Sequence, residues 1–121
     1  MEVHRELGSG FPEHVYCRAL ELEFPLHDLR AQSECPMPVF YKEQRITTRR
    51  VDFLVEQLIP TEIKALSNLE GAHLAQALNY LEASNLEVGL LINFGSSSLQ
   101  FKRLLNRKFK PERNQRINEE S

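Results

Sequence analysis

Six side chains in this sequence have types and spacings suited to joint chemistry: Glu13, Asp52, Glu62, Lys64, Gln76 and Tyr80. Asp52 interrupts the apolar run Val51-Asp52-Phe53-Leu54-Val55. A carboxylate in a buried strand is costly unless it is paired or binds a cation. Glu62 stands in the same position one strand later, in Ile59-Pro60-Thr61-Glu62-Ile63-Lys64-Ala65. Two carboxylates on neighbouring strands repel, and a hard divalent cation such as Mg²⁺ or Mn²⁺ removes that repulsion while gaining oxygen ligands. Glu13 would add a third oxygen donor. Lys64 shares Glu62's face of the strand, about 6 to 7 Å further along, where an ammonium can hold an attacking water and offset phosphate charge. Gln76 and Tyr80, four apart, share one face of a helix and can hydrogen-bond a phosphate or orient Lys64. Such a set suits metal-assisted phosphodiester hydrolysis.

Positioning these groups requires a particular order of elements. The spacing of Phe11, Val15, Ala19 and Leu22 predicts a helix over 12–24, with Ser9 as N-cap, Pro12 in its first turn and Pro25 kinking or stopping it. Gly8 and Gly10 end a short helix that begins at the N-terminus. Two β-rich runs flank the polar tip Lys42-Glu43-Gln44 and read as a hairpin whose first strand, carrying Pro36 and Pro38, lies at a sheet edge. A third strand covers 58–65, with Thr61, Ile63 and Ala65 on one face and Glu62 and Lys64 on the other. A second helix spans 67–85, capped by Ser67 or Asn68, with Leu74, Ala77, Leu78 and Leu81 as its apolar stripe. The run Leu86 to Phe94 fits a strand covered on both faces. A Gly-Ser-Ser-Ser turn then leads to a short final helix or strand. Helix, three strands, helix and strand make a mixed central β-sheet flanked by helices, an α/β fold.

Composition sets the outer limits. The chain's 121 residues, 41% of them hydrophobic and 26% charged, suit one globular domain, over residues 1–109, with a polar, frayed tail over 110–121. The net charge of −2 argues against a simple basic clamp for nucleic acid, yet residues 102–116 hold seven bases against Glu112 alone. That basic end can contact a phosphate backbone or stand as a solvated tail. Cys17 and Cys35 form no metal-ligand cluster and read as buried thiols of a reducing compartment. No run of residues is long and apolar enough for a spanning helix, and the N-terminus has no signal-peptide pattern, so a cytoplasmic protein is expected. His4, His14, His27 and His73, without ligand spacing, read as surface or packing residues, and Tyr16 as packed on the sheet.

Asp52, nine further residues, Glu62-Ile63-Lys64 and Gln76-x-x-x-Tyr80 together resemble the core of the PD-(D/E)xK nuclease superfamily with the QxxxY motif of its RecB-like branch. More closely, the chain resembles the GxxExxY protein family. The name motif stands as Gly10-Phe11-Pro12-Glu13-His14-Val15-Tyr16, after Val3-His4-Arg5-Glu6-Leu7-Gly8. Pro36-Met37-Pro38-Val39, Gly89-Leu90-Leu91-Ile92-Asn93-Phe94-Gly95 and Leu99-Gln100-Phe101-Lys102-Arg103 extend the likeness over residues 3–109. The resemblance implies a restriction-endonuclease-like core and a metal-dependent nuclease acting on DNA, in repair or defence. It implies that Asp52 and Glu62 bind Mg²⁺ or Mn²⁺ with the carbonyl of Ile63 and with Glu13, that Lys64 is catalytic, and that Gln76 and Tyr80 contact substrate. Three departures stand out: Val51 in place of the proline before the aspartate, Pro25 where the family's helix continues, and Asp28 where that helix ends in glycine. The resemblance also implies most of another helix ahead of Val3.

The same residues have a plainer reading. Asp52 and Glu62 can form cross-strand ion pairs with Arg49, Arg50 or Lys64. Glu13 can be an early-turn acid favoured by the helix dipole. The alternative to a nuclease is therefore a catalytically silent nucleic-acid-binding or partner-binding module. A homodimer would suit the cutting of two strands.

Overall fold

The structure, a computed structural model, describes residues 2–113. Eight elements follow in order: α1 (Glu2–Leu7), α2 (Glu13–Leu26), β1 (Ala31–Tyr41), β2 (Gln44–Val55), β3 (Ile59–Lys64), α3 (Gly71–Ala83), β4 (Val88–Asn93) and β5 (Gln100–Leu105). The five strands form one sheet in the order β1-β2-β3-β4-β5. Neighbours are antiparallel except β3 and β4, which run parallel and are joined through α3. The mixed sheet with flanking helices agrees with the expected α/β, restriction-endonuclease-like core.

Strand alternation divides the sheet into two environments. Ile63 faces α2 and joins Tyr16, Leu20, Phe53, Ile92 and Phe94 in the main core, with Val3 of α1 beside them. Glu62, on the opposite face of β3, lines a space with Ala77, Tyr80 and Leu81 of α3. The edge position expected of β1 holds, since β2 is its one neighbour in the sheet. The last element is a strand: β5 pairs antiparallel with β4, from Val88↔Leu105 to Asn93↔Gln100.

Four helix boundaries differ from expectation, the end of α3 at Ala83 rather than 85 among them. At the start of α2 the N-cap is Pro12, not Ser9, and it offers no side-chain cap. Tyr16 fixes that entry instead: its hydroxyl donates to the Gly8 carbonyl at 2.6 Å and accepts the Phe11 N–H at 3.2 Å. Its ring stacks on Phe94 with centroids 4.7 Å apart. At the other end, α2 passes through Pro25 and stops one residue later. Asp28 there takes the left-handed backbone, φ 57°, that glycine would adopt more cheaply. The second helix begins at Gly71 rather than Ser67, and His73 Nδ1 accepts the Glu70 N–H at 3.1 Å. Residues 67–70 are held elsewhere: the Leu69 N–H donates to Gln100 Oε1 at 2.9 Å, and Gln100 Nε2 donates to Asn68 Oδ1 at 2.7 Å.

The end of β3 is clamped by β4. Asn93, fully buried, accepts the Leu66 N–H at 2.7 Å and donates to the Leu66 carbonyl at 2.8 Å. Gly95 lies so close that a Cβ there would come within 2.4 Å of backbone atoms of Ala65 and Leu66. The chain directly after Lys64 is thereby fixed in place. Lys110 is bonded to Asn85, and residues 111–113 form a helical turn; the rest of the expected tail lies outside the described residues.

Gly95→Ala is therefore expected to destabilise the protein by about 1–3 kcal/mol or more, the cost of overpacking against backbone. Gly10→Ala, where nothing lies within 4 Å of the added carbon, should stay within about 0.5 kcal/mol of wild type. Urea denaturation of both variants measures the difference.

Candidate active site

Asp52 lies where backbone pairing lapses. The β2–β3 ladder runs from Val55↔Ile59 to Phe53↔Thr61, and Asp52 opposite Glu62 would be its next step. In place of that step, Asp52 Oδ2 accepts the Ile63 N–H at 2.7 Å. A side-chain carboxylate thus takes the place of a strand carbonyl. The N–H and C=O of one strand residue point to the same edge, so the Ile63 carbonyl also faces this gap. On the other side of β2, partners are found at Ser33↔Phe53 and Cys35↔Val51 but not at Glu34, whose backbone is left-handed with φ 49°.

Two spaces flank this lapse. A cavity of about 180 Å³ is lined by Glu13, Cys17, Glu21, Ser33, Glu34 and Asp52, among others. Glu13, the first residue of α2, thus reaches the same cavity as Asp52. The second space, about 20 Å³ and little more than one water's room, lies on the α3 side between Arg49, Glu62, Tyr80 and apolar neighbours. Glu62 pairs there with Arg49, and the Arg49 guanidinium sits 4.0 Å above the Tyr80 ring. The ion pair that the plainer reading allowed is therefore present, and it is largely buried, with the side chains 24% and 16% exposed. Lys64 shares Glu62's face of β3 and acts on its charge.

Of the six residues, the structure brings Glu13 to the cavity that Asp52 lines, Asp52 and Lys64 each within reach of Glu62's charge, and Tyr80 to Glu62 through Arg49. Gln76 is exposed to solvent on α3. Tyr80, expected to hydrogen-bond a phosphate or orient Lys64, carries the Arg49 guanidinium on its ring. Sequence reasoning treated Arg49 as an ordinary surface partner; its register opposite Met37 turns it toward α3, and that register depends on tertiary pairing. Among the described residues, no three acidic, histidine or cysteine side chains close on one point.

The electrostatics explain what the site wants. Burial pushes the Glu62 carboxyl up to about 7; Arg49 and Lys64 oppose this, and the charge of Asp52 adds to it. The Cys17 thiol is pushed up to about 12 by burial first, then by Asp52 and Glu13, so it stays neutral at physiological pH. In both groups burial is the main cause, and the charge of Asp52 adds to it. The donor set, carboxylates plus a carbonyl aimed into the gap, is hard oxygen chemistry and fits Mg²⁺ or Mn²⁺. The second oxygens of Asp52 and Glu62 remain to hold it, since Oδ2 and Oε1 are bound to Ile63 and Arg49.

A raised carboxylate has a definite signature in stability. With a folded value near 7 against about 4.5 unfolded, the folded state holds the extra proton between those limits. The proton's contribution is full below about pH 4.5 and is lost as pH rises through 7. Metal-free wild type is expected to lose up to roughly 3 kcal/mol relative to Glu62→Gln over that window. Urea melts from pH 4.5 to 8 measure it.

Comparison with known proteins bears on the same residues. A search of curated proteins returned no match. A solved structure titled "Crystal structure of SSO0001" shares the fold with a TM-score of 0.57 at 18% identity, over 88% of this chain and 55% of that one. The chain thus spans little more than half the length of that relative. The family model of the PD-(D/E)XK nuclease superfamily matches residues 1–104, a span that takes in Glu13, the lapsed pairing at Asp52, Glu62, Lys64 and Tyr80. The chain belongs to the PD-(D/E)XK nuclease superfamily.

Proposed function

We propose that this protein is a metal-dependent nuclease that hydrolyses DNA phosphodiester bonds, of the GxxExxY branch. The observation that carries the reading is the Asp52 carboxylate entering the β2–β3 gap beside Glu62, with Lys64 two residues beyond on Glu62's face. Superfamily membership supports the reaction class. In this reading Asp52, Glu62 and the Ile63 carbonyl hold Mg²⁺ or Mn²⁺, with Glu13 reaching the same cavity as Asp52. Held there, such a cation would supply polarisation of the scissile phosphate and a lower pKa for water at the site.

The chain's own groups do the rest. Lys64 holds the attacking water by a hydrogen bond and offsets charge on the phosphate as the phosphorus–oxygen bond to the leaving group breaks. Tyr80 keeps Arg49 beside Glu62, and Gln76, on the open side of α3, is free to meet a strand outside the site. Cytoplasmic location and pairing of two copies to cut two strands complete the proposal. Among the described residues no helix is long and apolar enough to cross a membrane.

A second reading rests on the Arg49–Glu62 pair. An acid already neutralised by a guanidinium suits a catalytically silent nucleic-acid-binding or partner-binding module.

Cleavage of single- and double-stranded DNA with Mg²⁺ or Mn²⁺ separates the two. Wild type should cut, while Asp52→Asn, Glu62→Ala and Lys64→Ala, at matched purity, should each lose at least about 100-fold, the scale of removing a charge-stabilising group. No cleavage by wild type, or equal cleavage by all four, rejects the nuclease and leaves the binding module.

A further inference from the structure

The described part of the basic run after β5, residues 106–113, is held against the fold. Buried Asn106 ties it down: its backbone N–H donates to the Glu87 carbonyl at 2.8 Å, and its side chain donates to the Leu86 carbonyl at 3.0 Å. Buried Asn85 then exchanges two hydrogen bonds with the Lys110 backbone, at 2.7 and 3.0 Å. The chain passes the C-terminal end of α3, where Lys108 Nζ lies 3.9 Å from Glu82. It reaches the β1–β2 hairpin tip, where Arg113 Nε lies 3.9 Å from Glu43. A cavity of about 470 Å³ between the two segments is lined by Phe40, Lys42, Glu43, Glu82, Asn85 and Arg113, among others.

Two segments some 60 residues apart thus form one surface, and its charge is sorted by depth. Lys42, Arg45, Arg107, Lys108, Lys110 and Arg113 are all exposed. Glu43 and Glu82 are half-buried beneath them, at 33% and 25% side-chain exposure. Solvent therefore meets six cations and the single exposed acid Glu112 at this surface, on a chain whose first 101 residues carry fourteen acids against eight bases. A field of this sign draws a polyanion to this face and repels it from much of the rest.

Tyr41 points to the kind of polyanion. It is 60% exposed at the hairpin tip, with Lys42 Nζ 5.4 Å from its ring centroid. An aromatic face among cations offers stacking to an unpaired base while the cations take the phosphates. The other large exposed apolar side chain of the hairpin is Ile46, at 64%, and the two are too few for the apolar centre of a protein interface. Helix α3 joins this surface to the carboxylates, since Tyr80 meets Arg49 and Glu82, two residues on, meets Lys108.

We propose that the hairpin tip and residues 107–113 form a nucleic-acid-binding surface, separate from the carboxylate site, that grips the phosphate backbone and stacks an unpaired base on Tyr41. The choice of a nucleic acid rests on the function proposed above, while the surface's cationic character does not. It gives a small catalytic core a hold on substrate that needs neither metal nor chemistry.

The test is binding in EDTA, where cleavage plays no part. Fluorescence anisotropy of labelled 20-nucleotide single strands and 20-base-pair duplexes is followed against KCl, using the full chain. Three proteins are compared with wild type: Lys42→Gln/Arg45→Gln/Arg107→Gln/Lys110→Gln, Tyr41→Ala and Arg5→Gln. The fourfold variant should bind both DNAs at least tenfold more weakly at 100 mM KCl, with a duplex salt slope shallower by about 3 to 4, as four lost phosphate contacts require. Tyr41→Ala should weaken the single strand about fivefold or more and leave the duplex unchanged. Arg5→Gln, which removes an exposed cation on α1, should bind as wild type, so loss of this surface is separated from a general loss of positive charge. The proposal is overturned if wild type does not bind, if the fourfold variant with an unchanged melting curve binds as wild type, or if polyglutamate of equal charge competes as well as DNA.

Discussion

A single hydrogen bond organises the centre of this molecule: the Asp52 carboxylate accepting the Ile63 N–H. A backbone donor in the middle of a sheet must find an acceptor, and at this step of the β2–β3 ladder the usual carbonyl is missing. Asp52 supplies one at the expense of placing negative charge inside the fold. Much of the local chemistry follows from that placement. Burial first, with that charge adding to it, makes Glu62 harder to ionise and keeps Cys17 as a thiol, while Arg49 and Lys64 act on Glu62 in the opposite sense. The sheet stays intact, and a gap with oxygen atoms around it is left open.

The supports around this gap work from opposite sides of the sheet. On one, Tyr16 joins the turn after α1 to Phe94 and so sets where α2 starts, which places Glu13. On the other, Asn93 and Gly95 hold the chain just beyond Lys64, leaving no room for its backbone to drift. Phe94 belongs to both, lying between the two clamp residues and stacked under Tyr16. A disturbance of the β4 terminus should therefore be felt at Glu13 and at Lys64 together, although these residues lie in different elements.

What the sequence made legible was what repeats locally. The alternation around Glu62 and Lys64, the apolar face of α3 and the prolines of β1 each encode a neighbour's absence or presence within a few residues. The acids were found because a charge in an apolar run is conspicuous. The turns were harder: Lys42-Glu43 and Glu56-Gln57 take left-handed backbones without the glycine or asparagine that would announce them. The start of α3 was misplaced because Ser67 and Asn68 look like caps, whereas Asn68 is bonded to Gln100, 32 residues away. Arg49 was underrated for the same reason, since its partners come from β3 and α3.

The span of these contacts along the chain has a consequence for how the protein reaches its native state. The β1–β2 hairpin and the β2–β3 turn close short loops, so Asp52 and Glu62 come together at small entropic cost. The crossover through α3 closes a longer one. The longest is closed at the N-terminus, where His4 bonds the Ser96 carbonyl across 92 residues and α1 settles against Phe94. Loop closure of that length favours late docking. The sheet with its two strand acids is the inexpensive part of the fold, whereas Glu13 takes its place through a more distant contact, the stacking of Tyr16 on Phe94.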